Sequence, residues 1–342
     1  MGARKISRGV KTALSLALAA GLFGYFLWRA PLGEVGQALG RLDWRFLVAS
    51  IVLSLSSYTL RALRWGIILR PVGTPRTRDL MGCTAAGFAA NTILPARAGE
   101  LVRPLLLSSR SGLPAAATMA SILTERLADL ATILILFASG SILAAERLTA
   151  SAMLPLRNAA ALTLLGLVAF VAVIFLLLRW REGAVDKLVS LLPERFRERG
   201  RHFLDHVLDG LSVVHDPRQL IRLLLWGFGV WLGAAVQVEM LARAFSIDLG
   251  LPAAFILLTV GGLGLAIPTP GGVGGFHAAT QFALVRLFGV DVGTATAFAL
   301  VHHAVCFFPI TIIGLSYAAA VGWRVRAVTA PPEPEPSSEP GA

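Results

Sequence analysis

Three charged residues, Arg97, Glu100 and Arg103, lie at or just after a break at which Pro95 and Gly99 interrupt an apolar stretch. Guanidinium groups bind phosphate oxygens through paired hydrogen bonds, so Arg97 and Arg103 suit the phosphate of a lipid headgroup. Arginines at a membrane surface also extend their charged ends into water and set topology, and this alternative stays open for both. The chemistry that these residues favour is electrostatic binding and not covalent catalysis.

A second break contains Gly271, Gly272, Gly274 and His277, together with two prolines. Proline removes a backbone donor and glycine removes the side chain, so a helix is not expected to run through this segment. Backbone groups freed inside a membrane must be buried in protein or line a wet cavity, and such breaks are typical of transport sites. A helix that begins near Gly275 would point its N-terminal amides at an anion. Close helix packing is the other explanation for the glycines.

Glu125, Arg126 and Asp129 stand well inside another apolar run. A charged side chain at the centre of a bilayer costs about 2.5–3.5 kcal/mol on insertion scales unless it is paired or faces a cavity. Glu125 and Asp129 are four residues apart and therefore share one helix face. We predict that all three residues face protein or a cavity, either as part of a substrate site or as a structural charge cluster that locks the two halves of the chain together.

Arg61, Arg64 and Trp65 stand near the predicted end of a span, and we interpret them as interfacial anchors. His302 and His303 lie in the last apolar run. They either face His277 and carry protons for coupled transport or pack against the second break.

Other arrangements give no catalytic or metal site. His202 and His206 are four residues apart beside acidic residues, but a charged amphipathic surface is the simpler interpretation. No serine, cysteine or carboxylate pattern is specific enough for catalysis, so we expect neither enzyme activity nor a cofactor. Cys83 and Cys306 lie inside apolar runs, which excludes a disulfide framework.

Composition places the chain among membrane proteins. Of its 342 residues, 56% are hydrophobic and 15% are charged, and several apolar runs reach about 20 residues. The expected fold class is an all-α, polytopic integral membrane protein. The net charge of +11 is distributed between the apolar runs and not along one surface stripe, which argues against nucleic acid as a partner.

The expected architecture is a single transmembrane domain, residues 1–330, with about six full spans and two re-entrant hairpins in two inverted halves. The apolar piece 81–94 is too short to cross a bilayer of about 30 Å and is predicted to be a hairpin arm. For residues 251–267 a complete crossing stays open as an alternative. The remaining boundaries are spans near 12–28, 46–60, 115–145, 159–178, 223–240 and 294–321, halves near 10–145 and 158–322, an amphipathic cytoplasmic linker near 179–222 and a disordered tail at 331–342. Basic loops place both termini in the cytoplasm and the protein in the cytoplasmic (inner) membrane.

Four segments resemble, in order and spacing, the lysylphosphatidylglycerol synthase transmembrane-region family, which is often called flippase-like. They are Arg-Ala-Leu-Arg-Trp at 61–65, residues 91–104, Thr-Glu-Arg-Leu-Ala-Asp at 124–129 and Pro-Gly-Gly-Val-Gly at 270–274. His277 stands near a position that is often acidic in the family. The resemblance implies the lipid-translocating part of such proteins, as a stand-alone member without an aminoacyl-transferase domain.

Two functions follow as expectations. The first is a flippase that moves an anionic-headgroup lipid, of phospholipid or polyprenyl-phosphate type, across the cytoplasmic membrane. The alternative is a membrane-embedded enzyme or partner subunit that presents lipid to a separate glycosyl or aminoacyl transferase. The expected partners are the lipid itself, with its phosphate headgroup, and either a second copy of the chain or such a transferase.

Overall fold

A computed structural model of the protein describes residues 8–94, 97–191 and 217–322, together with 193–194, 197–198, 200–201 and 204–205. Over these residues the protein forms twelve α-helices and no strand, which confirms the expected all-α class. The helices are α1 Arg8–Trp28, α2 Leu32–Gly40, α3 Trp44–Leu69, α4 Thr77–Ile93, α5 Gly99–Ser111, α6 Ala115–Leu143, α7 Ala150–Arg179, α8 Arg181–Ser190, α9 Pro217–Ala244, α10 Leu251–Gly264, α11 Gly275–Phe282 and α12 Val292–Ala320.

Five helices are long and apolar enough to cross a membrane, namely α3, α6, α7, α9 and α12. Helices α1 and α2 meet at 85° and together form a sixth candidate span. These six correspond to the six predicted spans. Two boundaries differ most: α3 continues to Leu69, past its predicted end near Leu60, and α7 begins at Ala150, before its predicted start near Ala159. The predicted linker is described only in part, and the predicted tail at 331–342 lies outside the described residues.

The connections between spans form two groups at opposite ends of the bundle. At one end, the N–H of Asp43 donates to the carbonyl of Ala244 at 2.9 Å, and the N–H of Thr149 donates to that of Leu287 at 2.8 Å. At the other end, Asp79 accepts hydrogen bonds from Arg110 at 2.7 Å and from the Tyr317 hydroxyl at 3.0 Å. We call these the Thr149 end and the Asp79 end.

Each hairpin enters and leaves the bundle at the same end, and the two hairpins use opposite ends. Helix α4 begins beside Asp79, and α5 ends beside Arg110, so this pair opens at the Asp79 end. Helix α10 follows Gly250, whose N–H donates to Glu239, and the chain returns to Thr149 through Leu287. Residues 251–287 therefore begin and end at the Thr149 end, which favours the predicted re-entrant hairpin over a complete crossing at 251–267.

Pro309 leaves a backbone acceptor in α12 that α3 satisfies. Proline has no N–H, so the carbonyl of Val305, four residues earlier, loses its helical donor. The hydroxyl of Ser54 donates to this carbonyl at 3.3 Å, and Tyr58 donates to the neighbouring carbonyl of Cys306 at 2.6 Å. Because a buried carbonyl without a donor is costly in a membrane, these two bonds help to fix α3 against α12.

The grouping of the connections gives a topology test. In a background with Cys83→Ala and Cys306→Ala, we expect Ser109→Cys, at the Asp79 end, to react with a membrane-impermeant maleimide only from the cytoplasm. We expect Glu146→Cys, near Thr149, to react only from outside. Both native side chains are exposed, so the added thiols are accessible. Reaction of both thiols from one side would contradict the arrangement.

Candidate functional site

Six charged residues from three helices meet inside the bundle and form what we call the charge cluster. Helix α3 contributes two, α5 one and α6 three. The side chains of Arg64 and Glu125 have no exposed surface, and Arg103 and Asp129 are also buried. The burial of Glu125 and Asp129 agrees with the prediction that they face protein, whereas Arg126, for which the same was predicted, keeps 37% of its side chain exposed. The members are Arg61, Arg64, Arg103, Glu125, Arg126 and Asp129.

Asp129 is held mainly by Arg64. The two side chains approach to 2.7 Å between Nη1 and Oδ1, and the indole N–H of Trp231 on α9 donates to the same oxygen at 3.0 Å. Arg61 lies 3.6 Å from the other carboxylate oxygen, and its guanidinium group stands 4.8 Å from the centre of the Trp231 ring. Three helices, α3, α6 and α9, are therefore joined at one carboxylate.

Glu125 connects the same group to the first hairpin. Its Oε2 lies 3.0 Å from Nη1 of Arg103, and its Oε1 lies 3.2 Å from Nη2 of Arg64. Arg64 thus bridges both carboxylates, which stand one helical turn apart on α6. Arg126 is more distant, at 3.5 Å from Glu125 and 3.7 Å from Asp129, and 37% of its side chain is exposed. It lies at the rim of the cluster, and Arg64 lies at its centre.

The interpretation of Arg64 and Trp65 as interfacial anchors is wrong. Because α3 continues to Leu69, both residues lie within the helix, and both are fully buried. Trp65 donates its indole N–H to Ser121 at 2.8 Å and offers its ring face to the guanidinium group of Arg103 at 4.0 Å. One feature of the sequence does indicate a shared buried face: the spacing of Arg61, Arg64 and Trp65 puts all three on one side of the helix.

Glycines bring α5 close enough to α4 for Arg103 to reach the cluster. A Cβ atom on Gly99 would overlap the carbonyl oxygen of Gly87, and a Cβ atom on Gly87 would come within 2.7 Å of Cβ of Arg103. The two helix backbones therefore touch, which directs the Arg103 side chain along α4 and into the bundle.

The structure does not bring Arg97 and Arg103 together at one phosphate site. Arg97 stands at the tip of the first hairpin with a positive φ of 53°, and 56% of its side chain is exposed. Its partner is Glu100, at 3.8 Å. Arg103 is buried and paired with Glu125. Of the predicted residues of the first break, only Arg103 belongs to the charge cluster.

The second break lies against the helix that leads into the first. A Cβ atom added to Gly271 would stand 3.3 Å from the carbonyl oxygen of Thr92, in the last turn of α4. Gly271, Gly272 and Gly274 have φ values of 60°, 68° and 86°, a region that glycine adopts readily and that strains other residues. The second break therefore lies against the last turn of α4, just before the first break in the chain, and the glycines are required by backbone conformation as well as by close packing.

Histidines satisfy the polar backbone groups of the second break. Nδ1 of His277 accepts a hydrogen bond from the N–H of Gly274 at 3.3 Å, at the start of α11. Nε2 of His303 lies 2.8 Å from the carbonyl oxygen of Gly271 and donates to it. The rings of His277 and His303 are 4.5 Å apart, and both His302 and His303 pack against Phe276. The predicted meeting of these histidines at the second break is thus observed.

Metal binding has no support in the part of the chain that the structure describes. No group of three or more histidine, cysteine, aspartate or glutamate side chains there could hold an ion. His202 and His206 lie outside the described residues.

The amino-acid sequence of the chain is similar to one protein family and to several known proteins. Residues 12–314 match the family described as the lysylphosphatidylglycerol synthase TM region. A UPF0104 membrane protein of Methanothermobacter thermautotrophicus is 24% identical over 329 residues, which are 92% of this chain and 93% of that protein. Another UPF0104 membrane protein of the same organism is 23% identical over 299 residues, with coverage of 83% and 88%. Glycosyltransferase AglD of Haloferax volcanii is 27% identical over 311 residues, which are 82% of this chain but 49% of that protein.

The central position of Arg64 gives a stability test. Arg64→Ala removes the shortest ion pair of Asp129 and one of the two close ion pairs of Glu125, both of them buried carboxylates, and we expect it to lower the free energy of unfolding by about 3–5 kcal/mol. Arg126→Ala removes a half-exposed arginine at longer distances and should cost no more than about 1 kcal/mol. Unfolding of both variants in the same detergent measures the difference. Equal losses would show that Arg64 is not the centre of the cluster.

The hydrogen bond from Gly274 to His277 gives a second test. His277→Ala leaves the N–H of Gly274, the residue that precedes α11, without its acceptor, so we expect a loss of about 1 kcal/mol in the free energy of unfolding and faster amide exchange at Gly274. His277→Gln should restore the bond, since glutamine at this third helical position reaches back to the same N–H. Amide hydrogen exchange of the two variants, compared with the parent, decides the outcome. If both variants exchange like the parent, the histidine does not hold the break.

Proposed function

Because the chain belongs to the lysylphosphatidylglycerol synthase transmembrane-region family, we propose that it moves a lipid with an anionic, phosphate-containing headgroup across the cytoplasmic membrane. The observation that carries the proposal is the charge cluster, since four arginines and two carboxylates lie inside an apolar bundle. Lipid or glycan handling is the general role to which the family and its relatives point.

The position of the cluster suits a headgroup in transit. Glu125 and Asp129 are ten and fourteen residues past the start of α6, which places them about 15–21 Å along the helix axis. A headgroup that leaves water must exchange its hydration for other partners, or the transfer is very costly. Buried guanidinium groups supply such partners for a phosphate, because they donate paired, charge-assisted hydrogen bonds.

The packing of the hairpins supports the proposal of two inverted halves. Helix α4 packs on α12, where a Cβ atom on Gly314 would overlap the carbonyl oxygen of Ala85. Helix α10 packs on α6 in the same manner, because a Cβ atom on Gly140 would stand only 2.5 Å from the carbonyl oxygen of Pro252. Each hairpin thus lies on the last span of the other half, and the hairpins open at opposite ends. Inverted halves with discontinuous helices are typical of secondary transporters.

One comparison favours a second candidate function. The match to Glycosyltransferase AglD covers 49% of that protein, so the relative contains about as much chain again outside the matched part. In the second candidate, this chain binds a lipid and presents it to a separate transferase, as a partner subunit and without moving the lipid between leaflets. The charge cluster would hold the phosphate in both cases.

Arg103→Lys tests the role of the cluster in translocation. Lysine keeps the positive charge but loses the planar fork and the stacking on Trp65, so we expect the rate of headgroup translocation to fall at least about tenfold. The control is Arg110→Lys, which makes the same change at the ion pair with Asp79, outside the cluster. The assay uses purified protein in liposomes and a labelled acidic phospholipid, with phosphatidylcholine as the neutral comparison.

The same assay separates the two candidate functions. Translocation by the purified chain alone supports the first function. Lipid binding without translocation supports presentation to a partner. Parental rates in Arg103→Lys would contradict the proposed role of the cluster.

A further inference from the structure

We infer that the charge cluster takes a doubly charged phosphomonoester headgroup in preference to a singly charged phosphodiester. This inference rests on the proposed function, because it names the headgroup class that the same site would bind. Three observations carry it, namely the net charge of the cluster, its unpartnered donors and the surface at its rim.

The cluster holds an excess of two positive charges. Four arginines face two carboxylates, and among the described residues these six side chains form ion pairs only with one another. Excess charge inside a low-dielectric bundle is costly, and an anion relieves the cost in proportion to the charge that it brings. A phosphodiester carries one negative charge and therefore neutralises only one of the two excess positive charges. A phosphomonoester above its second pKa of about 6 brings close to two negative charges.

Several guanidinium donors in the cluster have no acceptor among the described residues. They are Nε of Arg64, Nε and Nη2 of Arg103 and Nε of Arg126. Two carboxylate oxygens of the cluster, Oε2 of Glu125 and Oδ2 of Asp129, also lack a hydrogen bond, so the unpartnered donors outnumber the unpartnered acceptors. Nη2 of Arg64 is 3.2 Å from Glu125 but also lacks hydrogen-bond geometry. Buried donors of this kind are expensive unless an acceptor reaches them. A phosphomonoester offers three terminal oxygens as acceptors, whereas a phosphodiester offers two.

Arg126 marks the side from which the headgroup enters. It is the most exposed member of the cluster and has the longest contacts to Glu125 and Asp129, so it can move aside at small cost. Leu123 and Leu130 stand three residues before and four residues after Arg126, on the same face of α6, and both are exposed. An apolar surface that flanks the entry fits acyl or prenyl chains and favours a lipid over free phosphate.

A pair of lipids with the same acyl chains isolates the headgroup. Phosphatidic acid has a monoester phosphate and phosphatidylglycerol a diester phosphate. We expect the purified chain in detergent to retain phosphatidic acid at least about tenfold more strongly at about pH 8.5, measured by native mass spectrometry of an equal mixture. At about pH 5.5, where the monoester loses its second charge, the preference should fall below about threefold. Phosphatidylglycerol controls for titration of the protein itself.

Two further probes identify the source of the phosphomonoester. Inorganic phosphate is a monoanion or dianion without chains, and a polyprenyl monophosphate has the same headgroup on a different chain. Binding of both monoester lipids, without measurable binding of inorganic phosphate at the same concentration, assigns a lipid. Equal affinity for inorganic phosphate would overturn the lipid assignment.

Arg126→Gln and Arg110→Gln form a matched pair of variants. Each removes one positive charge, and the exposed fractions of the two native side chains are similar, 37% and 34%. Only Arg126 belongs to the cluster. We expect Arg126→Gln to reduce the preference for phosphatidic acid over phosphatidylglycerol about tenfold and Arg110→Gln to leave it unchanged.

The outcomes separate this inference from the proposed function. Equal retention of both lipids by the parent protein overturns the preference for a monoester but leaves translocation of anionic lipids standing. Retention of neither lipid, with no translocation in liposomes, overturns both. If both glutamine variants reduce the preference for phosphatidic acid equally, the preference comes from the overall charge of the protein. The cluster is then not the binding site.

Discussion

The contact of Arg64 with two carboxylates of α6 is the interaction on which the rest of the bundle depends. A buried ion pair stabilises only when its partners are placed well enough to offset the cost of removing charge from water. Arg64 meets this condition by reaching Asp129 at 2.7 Å and Glu125 at 3.2 Å. Trp231 and Arg103 complete the carboxylate contacts from α9 and α5. Helices α3, α5, α6 and α9 therefore meet at the same level of the bundle, where together they satisfy charges that no single helix could bury.

The backbone groups at the helix breaks also need partners, as the buried charges do. Inside a membrane every N–H and carbonyl group needs a partner within the protein. Ser54 supplies one for the carbonyl that Pro309 leaves free, His303 for the carbonyl of Gly271, and His277 for the N–H of Gly274. Each partner is a side chain from a neighbouring segment or from the next turn. Specific side-chain contacts thus satisfy these backbone groups of the irregular segments.

Helix α4 connects the charge cluster with the second break. Arg103 packs on Gly87, and Gly271 packs on Thr92 five residues further along, which is about 7.5 Å along the axis. A shift of α4 would therefore alter both places. This short distance gives a physical reason why a headgroup held by the arginines and a backbone rearrangement at the glycines could belong to one process.

Much of the architecture could be predicted from the sequence, because the length of apolar runs and the cost of buried charge are local properties. They determined the class, the six candidate spans, the hairpin arm at 81–94 and the inward direction of Glu125 and Asp129. The spacing of residues on one helix shows which side chains share a face, but it does not show which face of another helix they meet. Only the tertiary structure decided that Arg64, sixty-one residues before Glu125, is its central partner, that Arg97 stays apart and that Arg126 lies at the rim. An arginine near a helix end has the same local pattern whether it extends to water or is buried, and helix packing alone distinguishes the two.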